Sequence, residues 1–278
     1  MRGSLPTRRR GPAAPAPKGV LSGEREAVLL HLPEEVRRNM QRPGSESALV
    51  WDSFYPFAHT GLSRRAWFAV RPLWGTATPG ESPDELLVPY FWGLRVDGAP
   101  LDGLPEAAHA IAGREDRLEI DLFLKGERTL IAVEAKTEAE PGRCGRFENG
   151  RCPEVHGGER PCRYWEEGAR FSDSLAFGPR PRPEAEESPA CARHYQLART
   201  LLLAEQLGRA LALEPHVCLL APRRRWPALR PQWLDFAERV QDEGQWRRMR
   251  VLAWEDLAAL TGEGKRGESN SHSRTPAG

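Results

Sequence analysis

The chain has 278 residues, 40% hydrophobic and 28% charged, a composition of ordinary globular proteins that allows a sizeable core. With 40 basic against 39 acidic residues the net charge is +1, which excludes a global field as the means of holding a polyanion, so such a partner needs a local patch. No stretch has the ~20 apolar residues of a membrane span, and the basic N-terminus is not followed by a secretory apolar segment, so a cytoplasmic location without membrane contact is expected.

Residues 1–22 and 263–278 are rich in Pro, Gly, Ser and Arg without apolar periodicity and read as disordered tails around a single domain at 23–262. EREAVLLHLPEEVRRNMQ reads as helical with a break at Pro33, and SESALVWDSFYPF as a second helix ending in an aromatic corner at Pro56. Residues 60–117, rich in Trp, Pro and Gly, support no assignment. LEIDLFLKGERTLIAVEAK, residues 118–136, places two β-favouring runs around KGERT, the composition of a hairpin turn. From 137 to about 190 no periodicity is sustained, too long a span for an ordinary connection, and it reads as an insertion that something must organise.

Regular structure returns in HYQLARTLLLAEQLGRAL, where Leu197, Leu201, Ala204, Leu207 and Leu211 form one apolar stripe. PHVCLLAP reads as a buried strand. PQWLDFAERVQDEG reads as a helix after Pro231 carrying Trp233, Phe236, Ala237 and Val240, MRVLAW as a strand, and a short helix is expected from Glu255. Strands followed by helices imply an α/β or α+β sandwich: a mixed sheet flanked by helices.

Charges inside strands are exposed, paired or used. Alternation puts Glu119 and Asp121 on one face, with Ile120, Leu122 and Leu124 on the other; Glu134 and Lys136 likewise share a face. A turn pairing Lys125 with Leu130 sets Asp121 against Glu134 and Glu119 against Lys136. A solvated face with a Glu119–Lys136 ion pair accounts for half of this pattern. It leaves two carboxylates facing each other, an arrangement that suits a hard divalent cation such as Mg²⁺ or Mn²⁺. Only four lysines occur, at 18, 125, 136 and 265, so a lysine in this strand points to a use for a compact ammonium, such as polarising an attacking water.

Asp121, a gap of twelve residues, and then Glu134-Ala-Lys136 on adjacent strands resemble the PD-(D/E)XK nuclease superfamily, with Ile120 in place of its proline. The resemblance implies a restriction-endonuclease-like fold, Asp121 and Glu134 as Mg²⁺ ligands, and Lys136 as the residue activating water. It further implies Glu46 as a site carboxylate from an N-terminal helix and Gln196 as a site residue from the helix after the hairpin. The implied activity is metal-dependent hydrolysis of nucleic acid, DNA in the first instance. Two alternatives stay open: a catalytically inactive nuclease-fold binding or scaffold protein, and a metal- or redox-responsive module built on the cysteines.

Five cysteines without an export signal do not suggest a disulfide framework. Cys218 reads as a small core residue. Cys144, Cys152, Cys162 and Cys191 fall in or just after the irregular insertion, where they can bind Zn²⁺ or an iron–sulfur cluster, with His156 and His194 as substitute ligands, or stand unligated. The same segment interleaves arginines with Phe147, Tyr164 and Trp165, which suits phosphate contact and base stacking, but its glutamates nearly balance the charge, as in a solvated loop.

Overall fold

The computed structural model describes residues 27–75, 83–113, 120–158, 160–166, 171–183 and 187–260; both expected tails lie outside them. Pro33 divides the first helical segment into α1 (Val28–His31) and α2 (Glu34–Met40). α3 (Glu46–Phe54) starts at Ser45, whose side chain accepts the Ala48 N–H at 3.2 Å, and passes at Tyr55–Phe57 into a 3₁₀ turn containing Pro56. The stretch left unassigned contains β1 (Leu62–Ser63), α4 (Arg64–Ala69), β2 (Leu86–Phe91) and α5 (Leu104–Ala112).

The hairpin forms as β3 (Leu122–Lys125) and β4 (Thr129–Ala135), with Leu122 opposite Val133 and Lys125 opposite Leu130. Gly126 N–H donates to Thr129 O at 2.8 Å and closes the turn. The insertion contains short helical turns: α6 (Gly145–Glu148), α7 (Pro153–His156), two 3₁₀ turns at Arg163–Trp165 and Phe171–Asp173, and α8 (Ala190–Arg193). The chain continues through α9 (Tyr195–Leu211), β5 (Glu214–Ala221), α10 (Trp226–Ala237), α11 (Glu243–Arg247) and β6 (Met249–Ala253), then a 3₁₀ segment at Trp254–Leu260.

The strands form one mixed sheet in the order β1-β2-β3-β4-β5-β6, antiparallel as far as β4 and parallel from β4 to β6. The parallel part is built by α9 and α10 as crossovers, the connection that parallel neighbours require. Phe123, Leu130 and Ala132 pack with α5, α9 and α10, whereas Leu122, Leu124, Ile131, Val133 and Ala135 pack with the N-terminal helices. The result is the expected α/β sandwich. Leu197, Leu201, Leu202, Leu203 and Leu207 of α9 are all buried, each contributing ~1.5–3 kcal/mol of transfer free energy before entropic costs.

Three local expectations need correction. Every residue of β4 is buried, so the hairpin does not present a solvated face; helices cover both sides. Ile120 packs with Phe123 and α9 rather than with Leu122 and Leu124, because β3 begins only at Leu122 and the strict alternation does not extend back to it. α10 starts at Trp226 with Pro227 in its first turn and encloses Pro231, whereas Val240 lies beyond the helix and bridges to Leu175. Proline is tolerated at a helix start, and here Pro227 rather than Pro231 takes that role.

Candidate functional site

The C-terminal end of β4 meets the first turns of α9 and α3 at a cleft of about 610 Å³. Glu134, 1% exposed, points to the α9 face. Its Oε2 accepts the Gln196 Nε2–H at 2.7 Å and its Oε1 accepts the Thr200 hydroxyl at 2.5 Å. Gln196 and Thr200 stand one helical turn apart, the spacing at which two side chains of one helix reach the same group. The other end of the Gln196 amide accepts the Gly142 N–H at 2.6 Å. A Cβ on Gly142 would lie 3.3 Å from that oxygen, so glycine allows this close approach and ties the start of the insertion to α9.

Asp121 immediately precedes β3, and extending the ladder by one residue sets it opposite Glu134. Its Oδ2 accepts the Ala135 N–H at 2.9 Å, the side chain continuing the pairing where the strand backbone stops. Its carbonyl accepts the Trp92 N–H at 3.1 Å. Trp92 has φ 49°, a left-handed conformation uncommon for a bulky residue and typical of functional sites.

Lys136 is buried and fixed through its backbone on both sides: its N–H donates to Leu220 O at 2.8 Å, and its carbonyl accepts the Trp254 Nε1–H at 2.9 Å. Its Nζ lies 3.6 Å from Glu46 Oε2, and the other Glu46 oxygen accepts the Thr137 N–H at 3.0 Å. Glu46 enters the cleft from the first turn of α3. Glu119 lies outside the described residues, and with it the expected Glu119–Lys136 pairing.

The electrostatics follow from crowding. Burial, reinforced by the nearby Asp121 charge, raises Glu134 from the ordinary carboxylate range to about 8, against the opposing pull of Lys136, the Thr200 hydroxyl and Arg199. Asp121 keeps some exposure to the cleft, yet loss of solvent raises it to about 6, with Lys136 and the Ala135 N–H opposing and Glu46 adding to the rise. One ammonium therefore does not offset the concentrated carboxylate charge, a deficit that a cation would relieve. Asp121 and Glu134 are the carboxylates able to hold one, with Glu46 beside them.

The structure thus brings Asp121, Glu134, Lys136, Glu46 and Gln196 to one cleft. Tyr195 lines it as well. Sequence reasoning missed Thr200, Asn39 and Arg42, which also line the cleft. Thr200 did carry a signal: it is a hydroxyl within an otherwise apolar buried face of α9. Among the described residues, no three His, Cys, Asp or Glu side chains are arranged to hold a metal ion by themselves.

The four insertion cysteines are free thiols. Cys144 and Cys152 precede α6 and α7, Cys162 precedes the Arg163–Trp165 turn, and Cys191 lies in α8. The proposed substitute histidines are used otherwise. His194 Nε2 lies 2.6 Å from Asp235 Oδ2, and His156 Nδ1 accepts the Cys152 N–H at 3.1 Å. Cys218 is buried in β5 as expected of a core residue.

A family model described as "Restriction Endonuclease associating with ARP" matches residues 107–273. No curated protein and no solved structure matches the chain. No helix among the described residues is long and apolar enough to cross a membrane.

Proposed function

The chain belongs to the family of the restriction endonuclease associating with ARP, and from that premise we propose that it is a metal-dependent nuclease of the PD-(D/E)XK type, hydrolysing phosphodiester bonds of DNA. The observation that carries the proposal is the pairing of Asp121 with a buried Glu134 at an open cleft, both held well above the ordinary carboxylate range, with the Lys136 ammonium beside them. Such a pair is costly for folding and is kept where it is used.

The donor set fits Mg²⁺ or Mn²⁺, since Mg²⁺ is commonly bound by one or two carboxylates, with waters and substrate phosphate completing its octahedron. When bound, the ion would polarise the phosphate and acidify a coordinated water. Asp121 and Glu134 would hold it, and Gln196 and Thr200 fix the Glu134 carboxylate so that neither oxygen has to reorganise. Glu46 and the two backbone hydrogen bonds hold Lys136 facing the cleft, where its ammonium can orient the attacking water and stabilise charge developing on the phosphate. Arg42, Arg143 and Arg199 on the cleft walls are the side chains suited to contact phosphates, alongside the acidic Glu35, Glu46, Asp121 and Glu134.

The test is incubation of the purified chain with single- and double-stranded DNA and with RNA, each with Mg²⁺, with Mn²⁺ and with chelator. Divalent-dependent cleavage of DNA supports the proposal. Salt-sensitive binding without cleavage would instead assign the fold to a binding or scaffold role.

A further inference from the structure

We propose that Cys144, Cys152, Cys162 and Cys191 form a four-thiolate metal site, holding either Zn²⁺ or an iron–sulfur cluster, that organises the insertion and braces the rim of the cleft. This inference does not depend on the nuclease reading.

The first support is the repeated local geometry. Cys144, Cys152 and Cys162 have nearly the same backbone conformation, with φ/ψ of −67°/107°, −65°/119° and −69°/121°, and each opens a single helical turn. The backbone N–H groups of Arg146 and Phe147 face the Cys144 sulfur, and the Tyr164 N–H faces that of Cys162. Burial holds the Cys144, Cys162 and Cys191 thiols above the ordinary cysteine value, with such donors only opposing it, so thiolates there need a positive partner such as a metal ion. Three separate turns built alike around cysteine indicate a shared use.

The second support is convergence. The Cys144 N–H donates to the carbonyl of Ala192, the residue after Cys191, at 2.9 Å. The Cys162 N–H donates to Glu154 of α7, the helix that Cys152 opens, at 2.6 Å. The Trp165 indole donates to Cys191, while the Trp165 N–H bonds Cys162 O at 2.9 Å. Each of the four thiols lies within electrostatic reach of the other three. No three of them stand in ligand positions as they are, so binding requires the four thiols to draw together.

The third support is need. Helices of three or four residues do not hold themselves, and metal–thiolate bonds replace a core where apolar packing is sparse. Four soft donors drawn around one centre would suit tetrahedral Zn²⁺ or an iron–sulfur cluster. The functional consequence is positional. Gly142, which bonds Gln196, lies two residues before Cys144, and Cys191 lies just ahead of the α9 turn that carries Gln196. Binding releases the thiol protons to solvent and involves no change of oxidation state at sulfur.

The experiment is purification of the full chain without oxygen or chelator, followed by elemental analysis and visible spectroscopy. About one zinc per chain, or iron with matching sulfide and visible charge-transfer absorption, is expected, and the spectrum separates the two. Cys162→Ser and Cys144→Ser should each lose the metal, while Cys218→Ala keeps it. Because a variant can fail to fold, the native protein is also titrated with a mercurial, which should release the metal in step with modification of four thiols. Folded protein free of zinc and iron, or metal retained after those four thiols are blocked, would overturn the proposal.

Discussion

Glu134→Gln should change how stability depends on pH, by an amount that follows from the site. In the folded chain Glu134 titrates at about 8 and Asp121 at about 6, against about 4 for unfolded carboxylates. Between pH 6 and 8 the folded protein therefore keeps a proton that the unfolded chain has released, and stability falls as pH rises by ~1.4 kcal/mol per pH unit. Across that window the loss is ~3 kcal/mol, or ~6–12 °C in melting temperature for a domain of this size. Glutamine removes this titration, and its amide can still accept from Gln196 and donate to Thr200, so the variant should lose this fall in stability between pH 6 and 8. His194 and His216, both held below the ordinary histidine value by burial, contribute an opposite trend common to the two proteins, so the difference between them is the readout. Urea denaturation in chelator at pH 6, 7 and 8 measures it, and added Mg²⁺ should flatten the parental profile. Parallel profiles for parent and variant would refute the electrostatic account of the site.

Lys136→Arg preserves charge but replaces a compact ammonium with a larger planar fork; it should fold with a loss of ~1–3 kcal/mol from overpacking a buried position while losing at least ~100-fold in DNA cleavage rate. Chemical denaturation and a single-turnover assay check this, and parental cleavage by the variant would remove the role assigned to Lys136. Thr200→Val withdraws the hydroxyl that supports Glu134 and should weaken Mn²⁺ binding by ~10–100-fold, whereas Thr200→Ser restores it; equal affinity of all three proteins would show that the hydroxyl does not position the carboxylate.

The hairpin is legible in the sequence because its apolar alternation, its turn composition and its misplaced charges agree, and the register derived from them is the one found from Leu122 to Lys125. Leu197, Leu201, Ala204 and Leu207 of α9 likewise show a 3.6-residue stripe long enough to read. β1 does not, since two residues carry no period, and β2 ends in Pro-Tyr-Phe, a pattern shared with loops. α5 follows a glycine with φ 72° rather than a side-chain cap. Of the cleft residues, Glu134 and Asp121 stand out because charge in a strand is anomalous. Glu46 does not, because a glutamate in a first helical turn is ordinary; only three-dimensional proximity to Lys136 singles it out. Thr200 is marked only weakly, as one hydroxyl in an apolar helix face, and its role becomes plain from the carboxylate it meets.

The most direct measurement is the rate at which duplex and single-stranded DNA oligonucleotides are cut in Mg²⁺ or Mn²⁺ by the parental chain and by Glu134→Gln prepared side by side. The account predicts divalent-dependent cleavage by the parent and a loss of at least ~1,000-fold in a variant that remains folded. A folded parent that binds DNA without cutting it in either ion, or a variant that cuts as fast as the parent, would contradict it.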